Sequence, residues 1–160
     1  MSPRVILSAF HCADDGYTIC KNGTAVLGAH EYNYWKSHKY YKIKIVDVLY
    51  PEDPHRDSEP WYSINHDFAV MVLEKPAKMS PSVQPICLPQ PQADYGGLDA
   101  VAAGWGRYAA PEISTSQSKF LRKVTLKVSK KTYYHRHYFG TELNKNKKGE
   151  WMDPCSGDSG

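Results

Sequence analysis

The 160-residue sequence contains no long hydrophobic run. No apolar stretch approaches the about 18 residues that a membrane-spanning helix requires, so we expect no membrane partner. The stretch from Val5 to Phe10 is also shorter than the roughly 7–15-residue apolar core of a signal peptide. The N-terminal residues by themselves therefore do not indicate secretion.

Cysteine is scarce, and its spacing does not suit a metal site. The four cysteines are Cys12, Cys20, Cys87 and Cys155. None of them has the close C-x₂₋₄-C spacing of structural zinc, so we expect no metal ion and no cofactor. Two disulfides are the alternative to a metal site for four cysteines. Cys20 lies near enough to Cys12 in the sequence for a local bridge.

Helix-length patterns and internal repeats are absent as well, whereas strand patterns are frequent. Alternation of apolar and polar residues over 41–45 and 124–128 predicts strands with one buried face. Short apolar runs predict further strands at Val5–Ala9, Ala25–Gly28, Phe68–Leu73 and Ala100–Ala103. The strand at Val5 is expected to be buried, and the strand at Phe68 is apolar throughout. Many short strands separated by turns indicate an all-β fold of antiparallel barrels.

The charge balance is mild, with a net charge of +3 and a pI near 8.6. The basic residues are concentrated late in the chain, at Lys119, Arg122, Lys123, Lys127, Lys130, Lys131, Lys145, Lys147 and Lys148. Such a run can bind heparin or nucleic acid. Because no aromatic residues are interleaved with it, a solvated face is the favoured interpretation, and we expect no nucleic-acid partner.

The last six residues, Cys155 to Gly160, have the composition of a loop that presents a nucleophile. Glycine lets the backbone turn sharply and approach a substrate closely. The amides of Gly157 and Ser159 can then point together at a developing negative charge, with Ser159 as the nucleophile. Glycine, serine and aspartate are also the commonest loop residues, so a plain turn is the alternative.

A nucleophilic serine needs a base, and the base needs a third group to hold its tautomer. His11 follows an apolar run, and Asp67 opens another one. We interpret His11 as the general base and Asp67 as its partner, because a buried carboxylate needs a hydrogen-bond donor. A structural histidine and a strand-end cap are the alternatives. His66 is the weaker candidate, since it points the opposite way along a strand.

These motifs, in this order, resemble those of the trypsin/chymotrypsin family of serine proteases. The family carries small-small-His-Cys, Asp-hydrophobic-Ala-hydrophobic and Gly-Asp-Ser-Gly motifs, which correspond here to residues 9–12, 67–70 and 157–160. Two further landmarks are Pro85-Ile86-Cys87-Leu88-Pro89 and Ala103-Gly104-Trp105-Gly106. The resemblance extends over essentially the whole chain.

The resemblance implies the chymotrypsin fold, which has two antiparallel six-stranded-type β-barrels. We expect the first barrel at about 1–80, a link at 81–95 and an incomplete second barrel at 96–160. The family's Ile-Val-Gly-Gly-like start is absent from the sequence. Because the family unit runs to roughly 200–250 residues, we expect the start of the first barrel and the end of the second to be missing. An open barrel and an unfinished pocket would leave the chain as given inactive.

The resemblance also implies a serine endopeptidase that cleaves proteins or peptides through an acyl-enzyme. His11, Asp67 and Ser159 correspond to the catalytic triad, and the amides of Gly157 and Ser159 to the oxyanion hole. A non-catalytic homologue that acts as a binding or regulatory module is the alternative function, and a basic polyanion-binding module is a third.

Two aspartates near the end correspond to further functional positions of the family. Asp153 matches the floor of the primary specificity pocket, where a carboxylate stabilises Arg or Lys. An exposed loop acid is the alternative for Asp153. Asp158 matches the residue that pairs with the ammonium group freed by prosegment cleavage.

The family further implies a secreted, zymogen-derived enzyme with disulfides. The counterparts of Cys12 and Cys155 pair with cysteines that this sequence lacks, and the counterpart of Cys87 often links to a prosegment. Protein inhibitors are possible partners. Asn22 begins an Asn-Gly-Thr glycosylation sequon. Where some relatives carry an acidic calcium ligand, this chain has Ala29, so we expect no calcium.

Overall fold

The computed structural model describes residues 2–13, 20–32, 40–51, 67–91, 93–107, 117–130, 140–142 and 145. Strands dominate this part of the chain, and its one helix has four residues. In chain order the elements are β1 Val5–Ser8, α1 Phe10–Ala13, β2 Thr24–Leu27, β3 Tyr41–Leu49, β4 Ala69–Leu73, β5 Asp99–Gly104 and β6 Arg122–Lys127. Every pairing between these strands is antiparallel, which confirms the all-β prediction.

The chain divides into two compact units. The described residues of the first unit are 2–13, 20–29, 40–51 and 67–88. Those of the second unit are 30–32, 89–91, 93–107, 117–130, 140–142 and 145.

The first unit contains a four-stranded sheet in the order β1-β4-β3-β2. Ser8, the last residue of β1, is opposite Ala69, the first residue of β4. Leu49, the last residue of β3, is opposite Val70. The C-terminal ends of β1 and β3 therefore meet the N-terminal end of β4 at one end of the sheet, which we call the site end. Both α1, which follows β1, and Asp67, which precedes β4, lie there.

Strand β3 supplies three of the six buried residues in the described part of the first unit. Ile43 and Ile45 are only 2% and 5% exposed, whereas Lys44 between them is exposed, which confirms the period-two prediction for this strand. A register shift between Ile45 and Asp47 marks a β-bulge. Because the bulge adds one residue, Val48 lies on the buried face. Strict alternation along the same sequence would place it on the opposite face.

Strand β4 crosses the middle of this sheet, with Ala69 and Leu73 completely or almost completely buried. The prediction of a buried strand from Val5 and that of a strand beginning at Phe68 were wrong in part. Phe68 lies outside β4 and is 48% exposed, and Leu7 of β1 is 44% exposed. A continuous apolar run does not show which of its side chains lie on the outer face of a sheet.

The second unit contains a two-stranded sheet of β5 and β6. Leu126 and Val128 are buried, whereas Thr125 and Lys127 are exposed, which confirms the predicted alternation. On the exposed face the Lys127 ammonium lies 2.8 Å from a carboxylate oxygen of Asp99, its cross-strand partner. This contact raises the pKa of Lys127.

Candidate catalytic site

The site end of the first unit brings His11 and Asp67 into direct contact. The Nδ1 atom of the His11 ring lies 2.7 Å from Oδ2 of Asp67. The backbone N–H of His11 donates to the other carboxylate oxygen, Oδ1, at 2.9 Å. Because an ionised carboxylate only accepts hydrogen bonds, the ring presents an N–H at Nδ1 and keeps Nε2 for another partner.

Helix α1 presents His11 because of how its four residues divide between core and solvent. Residues three apart lie on one helix face. Ala13 is completely buried, and Phe10 is half-buried against the same core cluster. His11 and Cys12 occupy the exposed side of the helix. Two apolar anchors thus fix α1 to the core, and the imidazole remains accessible.

The surroundings of Asp67 favour its ionised form. Partial burial is the largest single influence, and it raises the pKa of this carboxyl group. The hydrogen bonds from the His11 backbone and ring, together with the backbone N–H of Phe10, outweigh the burial and hold the pKa below its usual value. A negative charge on Asp67 at neutral pH suits it to stabilise a protonated imidazole.

Cys12 lies next to His11 but has the properties of a protonated thiol. Desolvation raises its pKa, and the nearby Asp67 and Cys20 raise it further. The Cys20 thiol donates to the Cys12 carbonyl oxygen at 3.7 Å, and the Cys20 N–H donates to the Ala13 carbonyl at 2.7 Å. In the described part of the chain no disulfide joins Cys12, Cys20 or Cys87, so the local bridge considered from the sequence is not formed.

Several predicted site residues lie outside the described residues. They are Asp153, Gly157, Asp158 and Ser159, together with Cys155 and the weaker candidate His66. Asn22 is described, and it is exposed in a turn with a φ of 75°. Cys87 is exposed in an irregular segment. Among the described residues no group of three or more metal-ligating side chains is present.

Two features of the site were missed by the sequence interpretation. One is helix α1, which is too short to produce a periodic signal. The other is Phe10, which occupies a position where the small-small-His-Cys motif has a small residue. Phenylalanine at that position is visible in the sequence and was the available signal.

The sequence is similar to known proteins over its whole length. The family model described as Trypsin matches residues 1–160. Granzyme F from Mus musculus is 27% identical over 160 residues, which cover 97% of this chain and 59% of that protein. Transmembrane protease serine 9 from Rattus norvegicus is 26% identical over 168 residues, which cover 100% of this chain and 14% of that protein. The chain thus spans less than two thirds of the length of these relatives.

A solved structure of a mutant of human heparin binding protein resembles this chain with a TM-score of 0.74. The two are 20% identical, and the alignment covers 100% of this chain and 65% of that one. The likeness confirms the predicted all-β, two-barrel fold of the chymotrypsin type. Within the described residues, no helix is long and apolar enough to cross a membrane.

Proposed function

The chain belongs to the trypsin family, whose model matches residues 1–160, and from this premise we propose that it carries the catalytic triad of a serine endopeptidase. Members of this family act on protein substrates. The observation that supports catalysis most directly is the contact between His11 and Asp67. A plain structural histidine does not require one carboxylate to accept both its ring N–H and its backbone N–H.

In the proposed mechanism the Nε2 atom of His11 takes the proton of the Ser159 hydroxyl, and the serine oxygen attacks the peptide carbonyl. Asp67 stabilises the imidazolium that results. The amides of Gly157 and Ser159 stabilise the oxyanion of the tetrahedral intermediate. His11 then donates its proton to the leaving amine as the C–N bond breaks, which leaves the acyl group on Ser159. Water next attacks this ester while His11 takes a proton from it, and His11 returns that proton to the Ser159 oxygen as the acid product leaves.

Two aspartates complete the proposal for substrate choice and activation. Asp153 at the base of the primary pocket favours cleavage after Arg or Lys, because its carboxylate pairs with a cationic side chain. Asp158 pairs with the ammonium group that prosegment cleavage releases. Protein inhibitors are further proposed partners, since they occupy the same cleft as substrates.

The remaining family features are part of the same proposal. They are secretion as a zymogen, disulfides and a prosegment linked through Cys87. Glycosylation at Asn22 is compatible with its exposed position in a turn. The proposed organisation is a first barrel at about 1–80, a link at 81–95 and a second barrel from 96.

Covalent labelling of the full-length protein by a fluorophosphonate tests the proposed triad. We expect Ser159→Ala and His11→Ala to abolish labelling. Ser156→Ala is the matched control, because it removes a hydroxyl from the same stretch of sequence and should leave labelling intact. Failure of the unmodified protein to react would favour the non-catalytic binding module, and labelling that persists in Ser159→Ala would remove Ser159 as the nucleophile.

A further inference from the structure

Phe10 is larger than the residue that the trypsin-family motif has before its histidine. The motif has two small residues there, and this chain has Ala9 and Phe10. Phe10 is the first residue of α1, and its side chain is half-buried against the core of the first unit. An aromatic ring therefore has to be accommodated against the core by the residue that directly precedes His11.

The ring of Phe10 packs on the ring of Tyr50. The two ring centroids are 4.8 Å apart, and the ring planes are inclined by 53°. This distance and tilt fall within the favoured range for aromatic pairs. Tyr50 directly follows the last residue of β3, Leu49, which is paired with Val70 of β4. Tyr50 is thus fixed to the site end of the sheet, where Asp67 also lies just before β4.

The backbone of Phe10 also contacts the site. Its N–H donates to the carboxylate of Asp67, as does the N–H of His11 at 2.9 Å. Both amides belong to the first turn of α1. Because α1 has only four residues, a movement of the Phe10 side chain displaces both amides and the imidazole together. The position of the Phe10 ring is therefore linked to the geometry of the hydrogen bonds at Asp67.

We infer that Tyr50 is a positioning residue for His11. Its ring holds the Phe10 ring, and the Phe10 ring holds α1 in the orientation that directs the imidazole onto Asp67. Tyr50 acts through Phe10, and takes no part in the chemistry. The kinetic consequence rests on the proposed function, whereas the structural consequence concerns a hydrogen bond that exists with or without catalysis.

The structural arm of the test measures the low-field proton resonance of the hydrogen-bonded Nδ1–H of His11 by NMR. We expect Tyr50→Ala to broaden or abolish this resonance, and Tyr50→Phe, which keeps the ring, to retain it. Tyr41→Ala is the matched control, because Tyr41 is another half-buried tyrosine packed on the same core. It should reduce stability and leave the resonance in place.

The kinetic arm uses peptide hydrolysis by the full-length protein. A misplaced base costs about 100-fold in rate when the displacement is about 1 Å, so we expect Tyr50→Ala to lower kcat about 10- to 100-fold with little change in KM. Tyr50→Phe should restore kcat. In a Phe10→Ala background the Tyr50→Ala change should have no further effect on kcat, because the ring contact through which Tyr50 acts on His11 is then already absent.

Two results would overturn the inference. One is an unchanged Nδ1–H resonance in folded Tyr50→Ala, and the other is an equal loss in Tyr41→Ala, which would indicate a general effect of core damage. If Tyr50→Ala does not fold, Tyr50→Leu replaces it, because leucine fills volume without an aromatic face. The NMR arm keeps its meaning even if the unmodified protein fails to react with a fluorophosphonate.

Discussion

The two units of the chain differ in the residues that form their interiors. In the described part of the first unit the buried residues are apolar, and they come from α1, β3 and β4. In the second unit a buried polar residue, Ser118, accompanies Leu126 and Val128. The Ser118 hydroxyl donates to the Phe120 carbonyl at 2.7 Å and accepts from the Arg122 side chain at 3.0 Å. The first unit is thus organised mainly by packing, and the second also by a buried hydrogen-bond centre.

This difference matters for function because the candidate base lies in the packed unit. His11 and Asp67 are positioned by elements whose own side chains form the core, namely α1 and β4. Such a site is sensitive to packing changes that do not touch it. The backbone of Ser118, in contrast, joins separate segments of the second unit through the carbonyl of Trp105 at 3.0 Å. Mutations should therefore affect the two units through different physical causes.

The largest effect is expected from Asp67→Asn in the full-length protein. The amide presents an N–H as well as a carbonyl, so it no longer selects the Nδ1–H tautomer of His11. We expect kcat to fall by about 10⁴, the magnitude known for this substitution in serine-protease triads. Asp47→Asn is the control, because Asp47 is a carboxylate of the same unit that pairs with Lys21 at 3.2 Å instead. A loss below about tenfold in Asp67→Asn would contradict the proposed role.

The next largest effect is expected from core cavities, which should cost the two units different amounts of unfolding free energy. Leu73 in β4 is only 1% exposed, so Leu73→Ala should leave a cavity in the core. We expect a loss of about 2–5 kcal/mol in the free energy of unfolding. Leu126→Ala in β6 should lie near the lower end of that range, since a two-stranded sheet can relax more easily around the gap. Denaturant unfolding measures both, and Val101→Ala at a 65% exposed position is the control. A larger loss for Leu126→Ala would reverse the comparison.

The polar centre of the second unit should respond to loss of a hydrogen bond. Ser118→Ala removes the acceptor of the Arg122 side chain and the donor to the Phe120 carbonyl. We expect a loss of about 1–3 kcal/mol in the free energy of unfolding, measured by denaturant titration. Ser82→Ala at an exposed position should change it by less than about 0.5 kcal/mol. Equal values for the two variants would mean that Ser118 is incidental.

The smallest effect is the pH dependence that Asp67 contributes. Its pKa is lowered in the folded chain, so the carboxylate adds stability above its unfolded pKa of about 3.9. That stability is lost as the pH falls through the lower, folded pKa. The difference in unfolding free energy between wild type and Asp67→Asn should therefore shrink between neutral and acidic pH. Because a third of the side chain is exposed, salt should reduce it further. A difference independent of pH would contradict this account.

The regular parts of both units could be predicted from the sequence. Alternating side chains over 41–45 and 124–128 identified β3 and β6, because a strand with one buried face imposes that period. The pairing of His11 with Asp67 was expected from their motifs, and the structure brings these two side chains together. The catalytic role of the His11–Asp67 pair stays a prediction until Ser159 is tested.

The irregular parts could not be predicted, because they depend on contacts between segments distant in sequence. The register shift after Ile45 is defined by the pairing of β3 with β4, and no local sequence pattern indicates it. The short helix α1 is stabilised by burial of Phe10 and Ala13 and not by its own propensity. The exposure of Phe68 likewise depends on its place at the end of a sheet.

The bulge in β3 decides which residues of this strand face the site. Tyr50 follows the bulge by only a few residues, and the same sequence paired without the register shift would turn Val48 and Tyr50 to the opposite face. Deleting Val46 would instead remove the extra residue, so the pairing would become regular while Val48 still faces the interior and Tyr50 still meets Phe10. Loss of one codon at the bulge should therefore leave the orientation of the imidazole unchanged, whereas insertion of one codon between Val48 and Tyr50 should disturb it.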